Sequence, residues 1–383
     1  MTKSHNYPTI STTEALRPTH LEINLKTISR NFITIKNHVG NAKIMPILKA
    51  NAYGHGLVRI AQLMQELNAD YLGVAVLEEG ILLREMGITL PILVLGGILG
   101  NQVPLFFKHD LTITASSMEK LNQIDEAAAS MKVRAKVHLK IDTGMERIGV
   151  HYYSADKFLE AALKCKNVLI EGIYSHFANS EQQDLTHAKL QLERFNNVLK
   201  FFDDRSVETP IRHFANSGAI LQLPEANFDM VRPGIMMYGV YPSQEVAKTV
   251  IVQPSLTWKT RVVYFKVIKP GHPVGYGSTW ETDHLVRAIT APVGYGDGYM
   301  RSMSHNAYVI IRGEKYPVVG SISMDQIVVN IETDSAYNGD EVILIGKDGN
   351  SKICCEDLAA WAGTIPYEIL TSINTRVPRI YVD

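Results

Sequence analysis

The sequence predicts an α/β chain: an N-terminal (β/α)8 TIM-type barrel followed by a C-terminal mainly-β domain. Three observations predict it. The chain has 383 residues, a length for two domains, or one large domain with an appendage, at roughly 100–200 residues each. From about residue 43 to residue 237, eight short apolar runs alternate with amphipathic segments. That alternation implies right-handed βαβ units and a parallel sheet, and eight units suggest a closed barrel. Beyond about residue 255, strand-like runs rich in Val, Ile and Tyr take over.

In chain order, residues 1–15 read as a flexible tail, 16–254 as the barrel and 255–383 as the second domain. The barrel runs lie near 43–48, 72–76, 91–95, 111–115, 135–141, 169–174, 211–215 and 228–235. Between them, segment 117–131 carries Leu121, Ile124 and Ala128 at helical spacing, with Ser117 placed to cap its start. Segment 185–202 puts Leu190, Phe195, Val198 and Phe202 on one broad face. A doubly wound open sheet competes with the barrel, but it usually has fewer strands and a Gly-x-Gly-x-x-Gly turn that this sequence lacks. In the second domain, 257–269, 284–293, 307–317, 322–331 and 341–345 read as strands. Arg312-Gly313-Glu314-Lys315 reads as a hairpin turn. A short helix spans 355–362, with Glu356 and Asp357 in its first turn.

Composition narrows the function. Lys and Arg number 38 against 39 Asp and Glu, so no basic excess exists to neutralise a nucleic acid backbone. With 46% hydrophobic and 20% charged residues, disorder is excluded for the bulk of the chain. Cys165, Cys354 and Cys355 form no Cys-x-x-Cys pair, which argues against zinc ribbons and fits a reducing compartment. Segment 1–19 is polar and lacks a signal-peptide core, and the longest apolar stretch, 90–99, is about half of a membrane span. The expectation is a soluble cytoplasmic protein with no metal, nucleic acid or membrane partner.

In a (β/α)8 barrel the chemistry sits at the C-terminal ends of the strands. There the sequence gathers Lys49, then Lys140, Asp142 and Arg147, then His176, then Asn216 and Ser217, then Arg232 and Gly234. Each has an ordinary structural reading: a solvated loop lysine, a hydrogen-bonded core histidine, salt-bridging arginines, a helix-capping serine. Their co-location at one rim favours function. A desolvated lysine amine is neutral enough to condense with an aldehyde. Glycines and a hydroxyl at a helix start can hold a phosphate through backbone N–H groups. Both together point to pyridoxal phosphate, with an aldolase that uses a Schiff base alone as the rival.

Lys-Ala-Asn-Ala-Tyr-Gly-His-Gly at 49–56 resembles the pyridoxal-phosphate lysine motif of bacterial alanine racemases, which are fold-type III enzymes. The resemblance continues in order through Asp-Thr-Gly-Met-Glu-Arg at 142–147, Ser-His-Phe-Ala at 175–178 and Ala-Asn-Ser-Gly at 215–218. It runs on through Arg-Pro-Gly-Ile-Met-Met-Tyr-Gly at 232–239, Gly-Tyr-Gly-Asp-Gly-Tyr at 294–299 and Ser-Met-Asp-Gln at 323–326. Pro-Tyr-Glu-Ile-Leu at 366–370 and Arg-Val-Pro-Arg at 376–379 complete it.

The resemblance implies a head-to-tail homodimer that interconverts L- and D-alanine and supplies D-alanine for peptidoglycan. It implies that Lys49 binds the cofactor aldehyde and is one acid/base, and that Tyr295 of the partner subunit is the other. Arg232 would face the pyridine nitrogen, with His176 linking Arg232 to the tyrosine as a cationic network. Tyr53, Asn216, Ser217, Gly234, Ile235 and Tyr367 would surround the cofactor. Arg147 and Met324 would contact cofactor and substrate, and Lys140 matches a lysine that is carbamylated in some relatives. Departures at 320–323 and 275–278 bear on substrate breadth and dimer contacts. The alternatives are a serine or broad-specificity racemase and a pyridoxal-phosphate homeostasis protein; the second domain with Tyr295 counts against the latter.

Overall fold

The computed structural model describes residues 17–383, so the predicted tail at 1–15 lies outside the described residues. These residues form two compact units, one of residues 27–254 and one joining the segment up to Lys26 with residues 255–383. Strand β1 (His20–Asn24) leads into helix α1 (Leu25–Val39).

In the first unit eight parallel strands follow: β2 (Lys43–Ile44), β3 (Leu72–Val74), β4 (Ile92–Val94), β5 (Thr112–Ala115), β6 (Ala135–Asp142), β8 (Val168–Tyr174), β9 (Ile211–His213) and β10 (Met230–Val231). A two-residue strand, β7 (Val150–His151), pairs with β6. The order runs β3-β4-β5-β6-β8-β9-β10-β2. The ring closes where Leu48 N–H donates to Gly73 O at 2.8 Å and Gly73 N–H donates to Pro46 O at 2.9 Å. Residues of β3, β4 and β5 are buried on both faces, which is why they read as continuous apolar runs rather than as alternations.

Helices separate the strands: α2 (Lys49–Tyr53), α3 (Leu57–Glu66), α4 (Leu77–Glu85), α5 (Val103–Lys108), α6 (Met118–Met131), α7 (Ala155–Lys164), α8 (Thr186–Asp204) and α9 (Ser217–Gln222). Helix α6 follows its sequence pattern. Ser117 Oγ accepts from Lys120 N–H at 3.1 Å, and Leu121, Ile124 and Ala128 are its buried face. In α8 the buried stripe is Ala188, Leu192, Phe195, Val198, Leu199 and Phe202. Leu190, expected on that face, is 41% exposed; five residues before Phe195, it stands roughly 140° away around the helix. The expected strand 228–235 shortens to β10, because Pro233 cannot donate to a ladder and 235–238 coil into a 3₁₀ turn.

The second unit is built on one ten-stranded sheet. Its further strands are β11 (Leu256–Arg261), β12 (Tyr264–Ile268), β13 (Val286–Ala291), β14 (Tyr308–Ile311), β15 (Glu314–Val319), β16 (Ile327–Asn330), β17 (Glu341–Asp348), β18 (Ser351–Ile353) and β19 (Arg379–Val382). Two helices, α10 (Cys355–Ala362) and α11 (Pro366–Ser372), complete it. Arg312 and Gly313 both have positive φ, 52° and 81°, the signature of a two-residue type I′ turn joining β14 to β15.

Strand β1 corrects the sequence-based boundary, which places 16–26 in the barrel. It pairs antiparallel with β11 and parallel with β19. Its burial alternates, with Leu21 and Ile23 wholly buried, a pattern that needs a sheet with one covered face. Nearness in sequence favours the barrel; the period-2 pattern favours the sheet, and the pattern wins. Among the described residues, no helix is long and apolar enough to cross a membrane.

Candidate active site

The mouth of the barrel begins with an unusual turn. After Lys49, residues Ala50, Asn51, Ala52 and Tyr53 all have φ between 51° and 57°, so α2 is in fact a left-handed turn. For L-residues this conformation costs roughly 1–2 kcal/mol each. It persists because its backbone is held from several sides. Ala50 N–H donates to Glu79 Oε1 at 2.7 Å, Ala52 N–H donates to Leu48 O at 2.7 Å, and Asn51 Oδ1 accepts from Leu57 N–H at 2.8 Å. Strain held this firmly marks a position where geometry matters more than local stability. Lys49 is exposed as a residue, yet the protein around its amine desolvates it. That desolvation, joined by Arg147, lowers its pKa, while Glu79 opposes the shift.

Arg232 is 3% exposed. One terminal nitrogen donates to His213 Nδ1 at 2.9 Å and to His213 O at 2.8 Å. The other donates to Ser175 O at 2.8 Å, Phe214 O at 3.0 Å and His176 Nδ1 at 3.3 Å. Its Nε–H is the donor left over among the described residues. Burial pushes its pKa down to about 10, and Tyr174 opposes the shift; the group still stays cationic near neutral pH. Behind it, His213 Nε2 meets His138 Nδ1 at 2.8 Å. Desolvation and then Arg232 hold both histidines neutral, His138 down to about 3.

His176 departs from the expectation of a cationic His176–Arg232 network. Burial first, then Arg232, Lys140, Arg147 and Lys49, hold its pKa well below the ordinary histidine value. It is therefore neutral. Because Arg232 donates to Nδ1, the proton of the imidazole sits on Nε2. Four basic groups from separate strand ends thus bear on one ring.

Lys140 is 4% exposed and its pKa lies well below the usual lysine value, through desolvation and Arg232. Asp142 Oδ1 accepts from the N–H groups of Gly144, Met145 and Glu146, and Oδ2 accepts from that of Arg147. Burial alone would raise the Asp142 pKa, but these four bonds outweigh it and lower it. The loop presenting Arg147 is thus pinned at its base, while the Arg147 side chain stays exposed.

A hydroxyl-lined cradle surrounds Gly234. Gly234 N–H donates to Ser217 Oγ at 2.9 Å. A Cβ at Gly234 would lie 2.7 Å from Tyr53 Oη and 3.7 Å from Ser217 Oγ, so a side chain there would fill the space between the two hydroxyls. Burial raises the Tyr53 pKa, keeping its hydroxyl a donor. Asn216 serves this region as the cap of α9: its Oδ1 accepts from Ala219 N–H at 3.0 Å and from Ser180 Oγ at 2.7 Å. Ile235 is wholly buried and opens the 3₁₀ turn after Gly234. A cationic Nε–H, a desolvated amine and a hydroxyl-lined cradle are the donor set that fits pyridoxal phosphate.

Tyr295, Met324 and Tyr367 belong to the other unit. Tyr295 N–H donates to Ser323 O at 3.0 Å and Gly296 N–H to Met324 O at 2.9 Å, so Tyr295 and Met324 ride on two interlocked loops. Gly294 permits this approach: a Cβ there would sit 2.2 Å from Ser323 O. Both side chains are open, Tyr295 43% and Met324 51% exposed. Tyr367 stands in the first turn of α11 and is half-buried.

Sequence reasoning missed Glu79, His138 and His213. Glu79 had a signal, since Leu77-Glu78-Glu79 follows the end of β3, where a barrel places its polar groups. The two histidines had none, because their role depends on strands β6 and β9 flanking β8.

Two family models cover the chain: the alanine racemase N-terminal domain matches residues 23–242 and the alanine racemase C-terminal domain residues 255–381. The chain is 44% identical over 369 residues to an alanine racemase of Carboxydothermus hydrogenoformans, covering 96% of this chain and 100% of that one. Its fold is similar to that of the Clostridium difficile 630 alanine racemase, with a TM-score of 0.90, 37% identity and coverage of 95% and 96% of the two chains. The Bacillus anthracis alanine racemase with bound L-Ala-P gives a TM-score of 0.90 at 33% identity, covering 96% of this chain and 95% of that one. With both domains matched in order and over nearly the whole length, this chain belongs to the alanine racemase family.

Proposed function

We propose that the chain interconverts L- and D-alanine with pyridoxal phosphate held at the barrel mouth, as a homodimer in which Tyr295 of the partner subunit completes each site. The observation that carries this reading is Arg232: a buried cation, fixed by five hydrogen bonds that include His176, with its Nε–H left over as a donor among the described residues. Bound pyridoxal phosphate supplies an electron sink that acidifies the α-hydrogen of the amino acid. Arg232 can donate a hydrogen bond to the ring nitrogen but does not readily give up a proton. It thereby tempers that sink, so the α-proton is not kept off long enough to return at the wrong atom. A decarboxylase built on the same plan would favour an acidic group at this position.

Racemisation removes a proton from one face of the α-carbon and returns it to the other. A single base cannot readily reach both faces of a fixed substrate, so two are needed. Lys49 Nζ, its pKa lowered by desolvation, accepts and returns a proton on one face. The Tyr295 hydroxyl serves the other. Neutral His176 presents its Nε2–H as a donor rather than a second positive charge. Tyr53, Ser217 and the N–H groups around Gly234 would hold the phosphate, and Arg147 would hold the substrate end. Lys140, a buried amine below its usual pKa, is suited to take up carbon dioxide; the carbamate would be an anion within the field of Arg147. The three free cysteines fit a cytoplasmic setting.

A racemisation assay across alanine, serine and lysine, with added cofactor, tests the reading. Alanine should be preferred, and Lys49→Ala should lose both turnover and the absorbance of lysine-bound cofactor. Retained racemisation in that variant would overturn the assignment; a preference for serine would overturn the substrate.

A further inference from the structure

The loop that carries Tyr295 rests on an ionic cluster centred on one buried carboxylate, with no part in the chemistry described above. Asp297, two residues after Tyr295, has a wholly buried carboxylate. Arg17 grips it in a bidentate fork, Nη1 to Oδ1 at 2.6 Å and Nη2 to Oδ2 at 2.7 Å, and also donates to Pro292 O at 3.0 Å. From the other side Arg376 Nε reaches Asp297 Oδ1 at 2.8 Å, and its Nη2 donates to Asp325 Oδ1 at 2.6 Å. Asp325 directly follows Met324. Gly294 N–H donates to Asp297 Oδ2 at 3.0 Å, and Asn374 N–H donates to Asp297 O at 3.0 Å.

We propose that Arg17, Asp297, Arg376 and Asp325 form a positioning clamp that fixes the loops of Tyr295 and Met324 to one another, holding the tyrosine hydroxyl where its proton transfer can occur. The proposal rests on the racemase reading above. Two cations and two anions alternate along the chain of contacts, so the cluster is charge-balanced. Burying a carboxylate is a poor route to stability, since well-packed apolar side chains often do as well. Bidentate arginine contacts do supply fixed direction. Such direction adds to the backbone bonds between the two loops, because Tyr295 and Met324 are about half exposed within their unit and side-chain packing there covers them only in part.

The clamp also draws on distant sequence. Arg17 precedes β1, Asp297 lies between β13 and β14, and Arg376 lies between α11 and β19. Strand β1 joins the second unit's sheet, and Arg17 just before it reaches Asp297 across 280 residues of sequence. None of the four residues need touch substrate, so they are positioning residues rather than catalytic ones.

The test uses the full-length, cofactor-loaded protein. Arg376→Gln is the main variant, because that side chain is 41% exposed and its loss leaves the Arg17 fork in place. Asp297→Asn removes the centre of the clamp, and Arg376→Lys is the conservative variant. Expected for Arg376→Gln is a fall in kcat of about tenfold to a hundredfold, the scale of a 1 Å misplacement, with cofactor absorbance unchanged. The isotope effect of α-deuterated alanine should rise for one enantiomer and not for the other, because only one of the two bases is displaced. Arg376→Lys should recover part of the rate. A kcat equal to that of the unaltered protein, or an isotope effect that rises equally for both enantiomers, would overturn the clamp. Failure of the racemase reading is distinguishable, since then the unaltered protein itself would not racemise alanine.

Discussion

At the scale of single residues, the barrel mouth is a study in how burial selects charge. Arg232, Lys140, Arg147 and Lys49 all bear on His176, yet desolvation leaves only part of that charge in place. Arg232 stays cationic because a guanidinium starts high; Lys140 and the three histidines 138, 176 and 213 are driven toward neutrality. Glu79 is the counterweight at Lys49, since its carboxylate raises the amine's pKa. Replacing Glu79 by Gln keeps an oxygen for the Ala50 N–H but removes the negative charge. The Lys49 pKa should then fall further, so its neutral form appears at lower pH. The pH midpoint for cofactor uptake by the cofactor-free protein should accordingly move downward; an upward or absent shift would show that Glu79 acts only through the backbone.

Elements follow their local patterns wherever the pattern has a neighbour to satisfy. Helix α6 is the plainest case, with Ser117 as cap and three buried residues at helical spacing. Ser117→Ala should lower stability by about 1 kcal/mol. For a unit of this size that is a fall in melting temperature of about 2–4 °C, with racemisation at room temperature unchanged. Helix α2 is the opposite case. Its four left-handed residues carry no local sequence signal: two are alanines, good formers of right-handed helix. Contacts from Glu79, Leu48 and Leu57 hold the turn, and Glu79 among them comes from another segment, the helix after β3. For the same reason α8 presents a slightly different face from the one its apolar residues suggest, since Leu190 finds no neighbour to bury it.

For the molecule as a whole, the division into two units is not the division of the sequence into two halves. Strand β1 belongs with residues 255–383, and its Leu21 and Ile23 are wholly buried there. A fragment of residues 16–254 would carry that strand without its sheet, exposing two large apolar side chains and an unpaired edge. A fragment of residues 27–254 would not. Size-exclusion chromatography of the two should show more aggregation in the longer one; equal behaviour would mean that β1 finds cover on the barrel itself.

The amino-acid order alone specified the eight-stranded barrel, the β-rich second half and the rim where Lys49, Lys140, Arg147 and Arg232 bear on His176. It could do so because buried parallel strands, helical periodicity and the C-terminal rim of a barrel are local or topological regularities that each segment carries in its own residues. Tertiary structure alone decided the protonation of His176, the left-handed turn after Lys49, the His138–His213 pair behind Arg232 and the placement of β1 and Arg17. Each of these depends on at least one group distant in sequence. Desolvation, charge and backbone strain are set by what surrounds a residue, and only the folded chain supplies those surroundings.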